Sequence, residues 1–214
     1  MPRFGRLYAA AVLRPLAEQL VDALHVRPGD TVCDVVSDSG ELARTLVARV
    51  GADGHVLAAD TDAAIVVHAH TCDAAACLFT GAFAPAVVQQ IPRLLRPGGR
   101  ALLACWDPDD PPPHEAALAD ALHEAGVRSA FLEAVVQPPV DVSAGSVVHD
   151  VVRFDGFAAY WAALVRERPL NEELATQAPD LVARVQEGCR RRLQRYEAAD
   201  ETLRIPVSAR FVDL

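Results

Sequence analysis

Lysine is absent: all 20 basic residues of this 214-residue chain are arginine. Without a lysine amine, Schiff-base chemistry and a phosphate-loop lysine are both excluded. Basic residues are also outnumbered, 20 against 29 acidic, for a formal charge of −9. Nucleic-acid affinity rests on neutralised phosphates, so this balance argues against a nucleic-acid partner. Long apolar runs are missing too. No stretch of about 18 uninterrupted apolar residues occurs, so no transmembrane helix is expected. Arg14 and Glu18 interrupt the first twenty residues, which therefore lack the apolar core of a signal peptide. The five cysteines (Cys33, Cys72, Cys77, Cys105 and Cys189) are odd in number and irregularly spaced. They suit reduced thiols in a cytoplasmic protein better than a disulfide framework. No Gly-x-Gly-x-x-Gly and no Gly-x-Ser-x-Gly is present, which weakens a nicotinamide reading and removes the nucleophile elbow of a hydrolase.

What the chain does have is apolar mass: 51% of its residues are hydrophobic and 23% charged, the composition of a single globular domain. Leu13, Leu16, Leu20 and Leu24 recur at helical spacing over residues 7–25. A turn at 27–30 leads into a buried strand at 31–36, a helix at 41–50 with Leu42, Leu46 and Val50 on one face, and a second strand at 55–59. This strand–helix–strand unit has the size of a right-handed parallel crossover. The pattern continues with a short helix at 62–70, a strand at 74–79, a helix at 85–95, a turn at 96–99 and a strand at 100–106. An acidic, proline-rich loop follows at 107–113. Helices are predicted at 114–125, 155–167 and 179–199, and strands at 131–137, 147–154 and 203–212. Alternation of this kind predicts a doubly wound α/β sheet. The chain divides into an N-terminal helix (1–26), a cofactor-type half (27–106) and a C-terminal half (107–214).

Four passages then resemble the class I S-adenosylmethionine (SAM)-dependent methyltransferases of the small-molecule type. They are Arg27–Val35 (RPGDTVCDV), Gly54–Asp60 (GHVLAAD), Arg93–Arg100 (RLLRPGGR) and Arg153–Trp161 (RFDGFAAYW). They cover most of the chain in the family's order. The resemblance implies a Rossmann-like fold, SAM as cofactor and a small-molecule, secondary-metabolite substrate. It also implies that the loop after the first strand and the acid after the second hold the cofactor. On this chain those positions are Asp34, Ser37, Asp38 and Gly40, and Asp60 with Thr61. Phe79, Phe83, Trp106 and His114 fall where a substrate pocket would be lined. Methyl transfer rests on proximity and in-line orientation, and no catalytic residue is singled out.

The chain departs from that pattern in the loop. The three glycine positions read Val36, Asp38 and Gly40, so only the last survives. Glycines there let the backbone approach the ligand. A carboxylate at Asp38 about 5 Å from the methionyl carboxylate would repel it by about 3 kcal/mol at an effective dielectric of about 20. Asp38 also reads as the N-cap of the next helix, with Glu41 completing a capping box. A second departure is a deletion, since only twelve residues lie between Asp60 and Asp73. That is too few for a helix, a strand and two turns, so one edge strand is expected to be missing. A degenerate methyltransferase with weak or lost SAM binding is therefore expected. Two alternatives stay open: a working SAM-dependent methyltransferase, and a scaffold subunit or different catalyst reusing the pocket. The bare edge would suit a homodimer or hetero-oligomer.

Other chemistry is less supported. His68, His70, Cys72 and Cys77 lack a second ligand pair at a recognised spacing, so no metal is expected. Asp107, Asp109 and Asp110 read as a solvated loop rather than a cation site. Ser37, His149 and Asp60 lack the elbow that a hydrolytic triad needs. The arginine cluster at 190–195 reads as a solvated face, with docking of an acidic partner as the alternative.

Overall fold

The computed structural model describes residues 5–35, 39–59, 69–78, 89–129, 141–166 and 170–214. The first helical run starts as α1 (Arg6–Tyr8), passes through a π-helical stretch (Ala9–Leu13) and continues as α2 (Arg14–Ala23). Leu13, Leu16, Leu20 and Leu24 are all buried, as their spacing requires. Each such leucine contributes about 1.5–3 kcal/mol of burial. His25 in the left-handed region and the turn at Gly29 end the run. The Asp30 side chain closes that turn by accepting the Arg27 N–H at 3.0 Å.

Six strands form one sheet in the order β2-β1-β3-β4-β6-β5. They are β1 (Thr31–Val35), β2 (His55–Ala59), β3 (Cys72–Leu78), β4 (Leu95–Trp106), β5 (Ser146–Phe154) and β6 (Leu203–Asp213). The first four are mutually parallel, and β6 runs antiparallel to both β4 and β5. Helix α3 (Glu41–Val50) carries the crossover from β1 to β2. Then come α4 (Ile91–Leu94), α5 (Pro113–Glu124), α6 (Gly156–Trp161) with a π-helical continuation (Ala162–Arg166), α7 (Leu170–Ala175) and α8 (Pro179–Leu193), which ends in a 3₁₀ turn (Gln194–Tyr196). The doubly wound α/β architecture expected from the alternation is the one found, and among the described residues β2 stands at one edge.

Strand alternation divides the core. Val32, Ala74, Ala76, Leu102 and Ala104 face the larger apolar cluster under the helices. Cys33, Val35, Ala75, Cys77, Leu103 and Cys105 face the smaller one. Small residues dominate the middle strands because both faces are covered.

Three local readings change. The Pro-Gly-Gly expected as a turn lies within β4, as a bulge. Cys72 pairs with Leu95 and Ala74 with Arg100, so residues 96–99 stand opposite Asp73. Gly98 supplies the positive φ there, and a Cβ on Gly99 would meet the Arg96 carbonyl oxygen at 3.0 Å. The Arg96 guanidinium pairs with Asp73 across the bulge. Second, the expected helix at 85–95 is described only as α4, and Leu95 already belongs to β4. Third, α7 was not expected; at six residues it is too short to show a period. The strand predicted at 131–137 and the helix over 62–68 lie outside the described residues.

Candidate functional site

Parallel strands bring the carboxyl ends of β1, β2, β3 and β4 to one rim of the sheet, where ligands bind in open α/β folds. Asp34 is the penultimate residue of β1 and is 1% exposed. Its register partners are Ala58 on β2 and Ala76 on β3, so small side chains flank the carboxylate. Gly40 lies beyond the strand in the left-handed region at φ 73° and is the N-cap of α3. A side chain there would be strained, which accounts for the one glycine retained in the loop.

This placement corrects the capping-box reading. Glu41 is the first helical residue rather than the third, and α3 has no side-chain cap. The Glu41 carboxylate is buried and accepts from Arg14 Nε at 3.1 Å and Arg44 Nη2 at 2.7 Å. The same Arg44 nitrogen donates to the Ser39 carbonyl at 3.0 Å. Burial alone would push the Glu41 carboxyl up, but the two arginines outweigh it and hold it below the ordinary range. A guanidinium–carboxylate clamp thus ties α2 and α3 to the end of the loop. The sequence signal was present, an acid followed by Arg44 at i+3, but the partner on α2 lies 27 positions away.

Trp106 ends β4 and is 5% exposed. His114, in the first turn of α5, is 0% exposed. The two rings meet edge to face with centroids 5.4 Å apart, so two of the candidate pocket residues are adjacent. Tyr8 and Phe154 complete the surround, each with its ring centre 6.3 Å from that of His114. The Tyr8 hydroxyl donates to Glu115 Oε1 at 2.8 Å, both groups being buried. The Tyr160 hydroxyl donates to the His114 carbonyl at 2.9 Å. Sequence reasoning missed Tyr8, Glu115 and Tyr160. Each sits on a helix, and nothing local marks its partner. Ser37, Asp38, Asp60, Thr61, Phe79 and Phe83 lie outside the described residues.

The acidic loop is held from within the chain. Arg210 on β6 donates from Nε to Asp107 at 2.7 Å and from Nη2 to Asp109 at 2.6 Å. Burial pushes the Asp107 carboxyl up, but the Arg210 hydrogen bond prevails and lowers it. The Ser208 hydroxyl donates to Asp110 at 2.7 Å, and His149 Nδ1 lies 3.0 Å from the same oxygen. Ser208 has one proton and gives it to Asp110, so Nδ1 carries the hydrogen of the second bond. That order puts serine between acid and histidine, which is not the arrangement of an activated nucleophile. Among the described residues no group of three or more His, Cys, Asp or Glu side chains could hold a metal ion. No helix among them is long and apolar enough to cross a membrane.

No family model matches the chain. A 46-residue stretch is 44% identical to the ubiquinone/menaquinone biosynthesis C-methyltransferase UbiE of Legionella pneumophila, covering 22% of this chain and 18% of that protein. The match therefore spans less than a fifth of that relative's length. A protein assigned as a methyltransferase from an antibiotic biosynthesis pathway in Anabaena variabilis superposes with a TM-score of 0.52 at 12% identity, over 94% of this chain and 97% of its own. A SAM-dependent methyltransferase from Geobacter sulfurreducens, solved with S-adenosyl-L-homocysteine, aligns over 100% and 99% of the two chains at 19% identity, with a TM-score of 0.44. Strand order, the antiparallel strand inserted next to β4, and the superposition on the Anabaena protein agree: this chain is built on the Rossmann-like fold of the class I SAM-dependent methyltransferases.

Proposed function

We propose that the chain is a degenerate class I methyltransferase whose SAM site is weakened or lost. The observation that carries this reading is the packing of the rim beyond β4. Trp106, His114, Glu115 and Tyr8 pack together at that end and are each at most 5% exposed. Two loop features add to it: Val36 and Asp38 stand at glycine positions, and the chain is short after Asp60.

The described residues fit part of the cofactor. Asp34 sits buried between two alanines at the strand end, and Gly40 starts the helix without a side chain of its own. Those two would take the amino-acid end of SAM, and Asp60 its ribose. When bound, SAM supplies an electrophilic methyl group. This chain's own residues orient the acceptor and exclude water. His114 meets Trp106 there, and Glu115 accepts the Tyr8 hydroxyl. The acceptor is a small molecule of secondary metabolism, and the setting cytoplasmic. A homodimer covering the β2 edge fits the same reading.

A working methyltransferase is the second reading, favoured by the retained acid at Asp34. Calorimetric titration separates the two. Weak or undetectable heat with SAM and S-adenosylhomocysteine is expected, and micromolar binding of either sinks the degenerate reading. Asp38→Gly is expected to raise SAM affinity by on the order of a hundredfold, the equivalent of about 3 kcal/mol of relieved repulsion.

A further inference from the structure

The chain carries nine more acids than bases, so two arginines that line one groove with no carboxylate within 4.0 Å among the described residues stand out against the surrounding charge. Four arginines fall within residues 190–195, and their fates differ. The Arg190 guanidinium lies over the Phe157 ring, 4.4 Å from its centre. Arg192 is held by Glu124 and by Asp120 at 3.6 Å, and donates to the Gly188 carbonyl at 3.0 Å. Arg191 and Arg195 are exposed, one turn apart, and neither has a carboxylate within 4.0 Å among the described residues. Glu187, one turn before Arg191 on the same helix, does not reach it. Like charges at this spacing repel, and among the described residues no carboxylate offsets the pair.

Both unrelieved arginines line one groove of about 340 Å³ between α5 and the end of α8. Its floor is Ala116 and Ala117, and its one acid, Asp120, already faces Arg192. Pro113, the first residue of α5, also borders the groove. The Arg195 guanidinium rests 4.8 Å from the centre of the Tyr196 ring, which keeps it at the groove's edge. The volume falls in the range of small-ligand pockets. Planar, permanently charged guanidinium groups suit a tetrahedral oxyanion, which they bind through paired N–H donors.

We propose that this groove binds the phosphoryl group of a soluble phosphate ester, with Arg191 and Arg195 as its two donors. The groove shares no lining residue with the Asp34–Gly40 loop or with the Trp106–His114 cluster, so its test does not require SAM. Calorimetric titration of the full chain at low salt uses inorganic phosphate, pyrophosphate and phenyl phosphate as probes. Saturable binding is expected, weakening as salt rises. The ester is expected to bind at least as tightly as inorganic phosphate. Arg191→Ala/Arg195→Ala is expected to lose at least about tenfold in affinity with an unchanged melting temperature, both side chains being exposed. Arg184→Ala, which removes an arginine already paired with Asp180 at 2.7 Å, is expected to leave binding unchanged. Absence of saturable binding, equal affinity in the double variant, or a preference for inorganic phosphate over the ester overturns the proposal.

Discussion

At the scale of single residues, the Arg14–Glu41–Arg44 clamp is the feature with the clearest consequence. Its carboxyl lies below the ordinary range when folded, so it contributes stability above the unfolded value of about 4.3 and loses it as pH falls through the folded one. Both arginines are more than half exposed, which limits the gain to about 1 kcal/mol. Glu41→Gln is therefore expected to lower the urea midpoint at neutral pH, with the gap to wild type closing in acid. A gap that stays constant with pH would mean the carboxylate is not the source. The cysteines give a second residue-scale prediction. All five are buried thiols outside any disulfide. Burial pushes Cys105 up to about 11 and Cys189 up to about 12, whereas Cys72 is drawn down to about 7 by a hydrogen bond from Cys33. Access rather than acidity decides reaction with a bulky thiol reagent. No rapid labelling is expected in the native protein, and all five thiols label once it is unfolded. Fast labelling of Cys72 in the native state would show that its strand end opens.

At the scale of elements, the contact between α5 and α8 depends on Gly188. A Cβ built there would meet the Ala121 Cβ at 3.1 Å, so the helices approach closely at that point. Gly188→Ala gains about 1 kcal/mol of helix propensity and spends it on a few tenths of an ångström of displacement. Gly188→Val has no such room and is expected to destabilise by about 1–3 kcal/mol, measured by denaturant unfolding. A neutral result for valine would place the helices further apart. Element boundaries show where sequence reading succeeded. Residues 41–50 and 55–59 were legible because Leu42, Leu46 and Val50 repeat at helical spacing and Gly51 and Gly54 punctuate the chain. The Pro-Gly-Gly at 97–99 was misread because the same residues serve a turn and a bulge. Only the pairing partner, Asp73 on β3, decides between them. The capping box failed for a similar reason. A glutamate three residues after an aspartate satisfies the pattern, yet two arginines drew it elsewhere.

At the scale of the whole molecule, charge is the property that composition fixes. The formal charge of −9 opposes non-specific association at neutral pH, and that repulsion vanishes near the isoelectric point of about 5.2. Turbidity is expected to peak near that pH and to fall on either side, and a flat profile between pH 4 and 7 counts against the account. Light scattering at neutral pH tests the homodimer: a mass near 22.9 kDa removes it, and twice that mass supports it. The fold also belongs to this scale. Apolar periods and turn residues specify each strand and helix locally, and the order of elements then admits few unknotted right-handed arrangements. That is why the amino-acid sequence by itself determined the doubly wound sheet, the buried leucine faces and the position of Asp34 at a strand end. Tertiary structure alone decided what meets what. Tyr8 reaches Glu115 across 107 positions, Arg210 reaches Asp107 across 103, and Arg191 and Arg195 come to line one groove with Pro113 of α5. Those contacts are absent from any local pattern because a side chain's charge and hydrogen-bonding capacity are short-ranged in space and blind to distance along the chain.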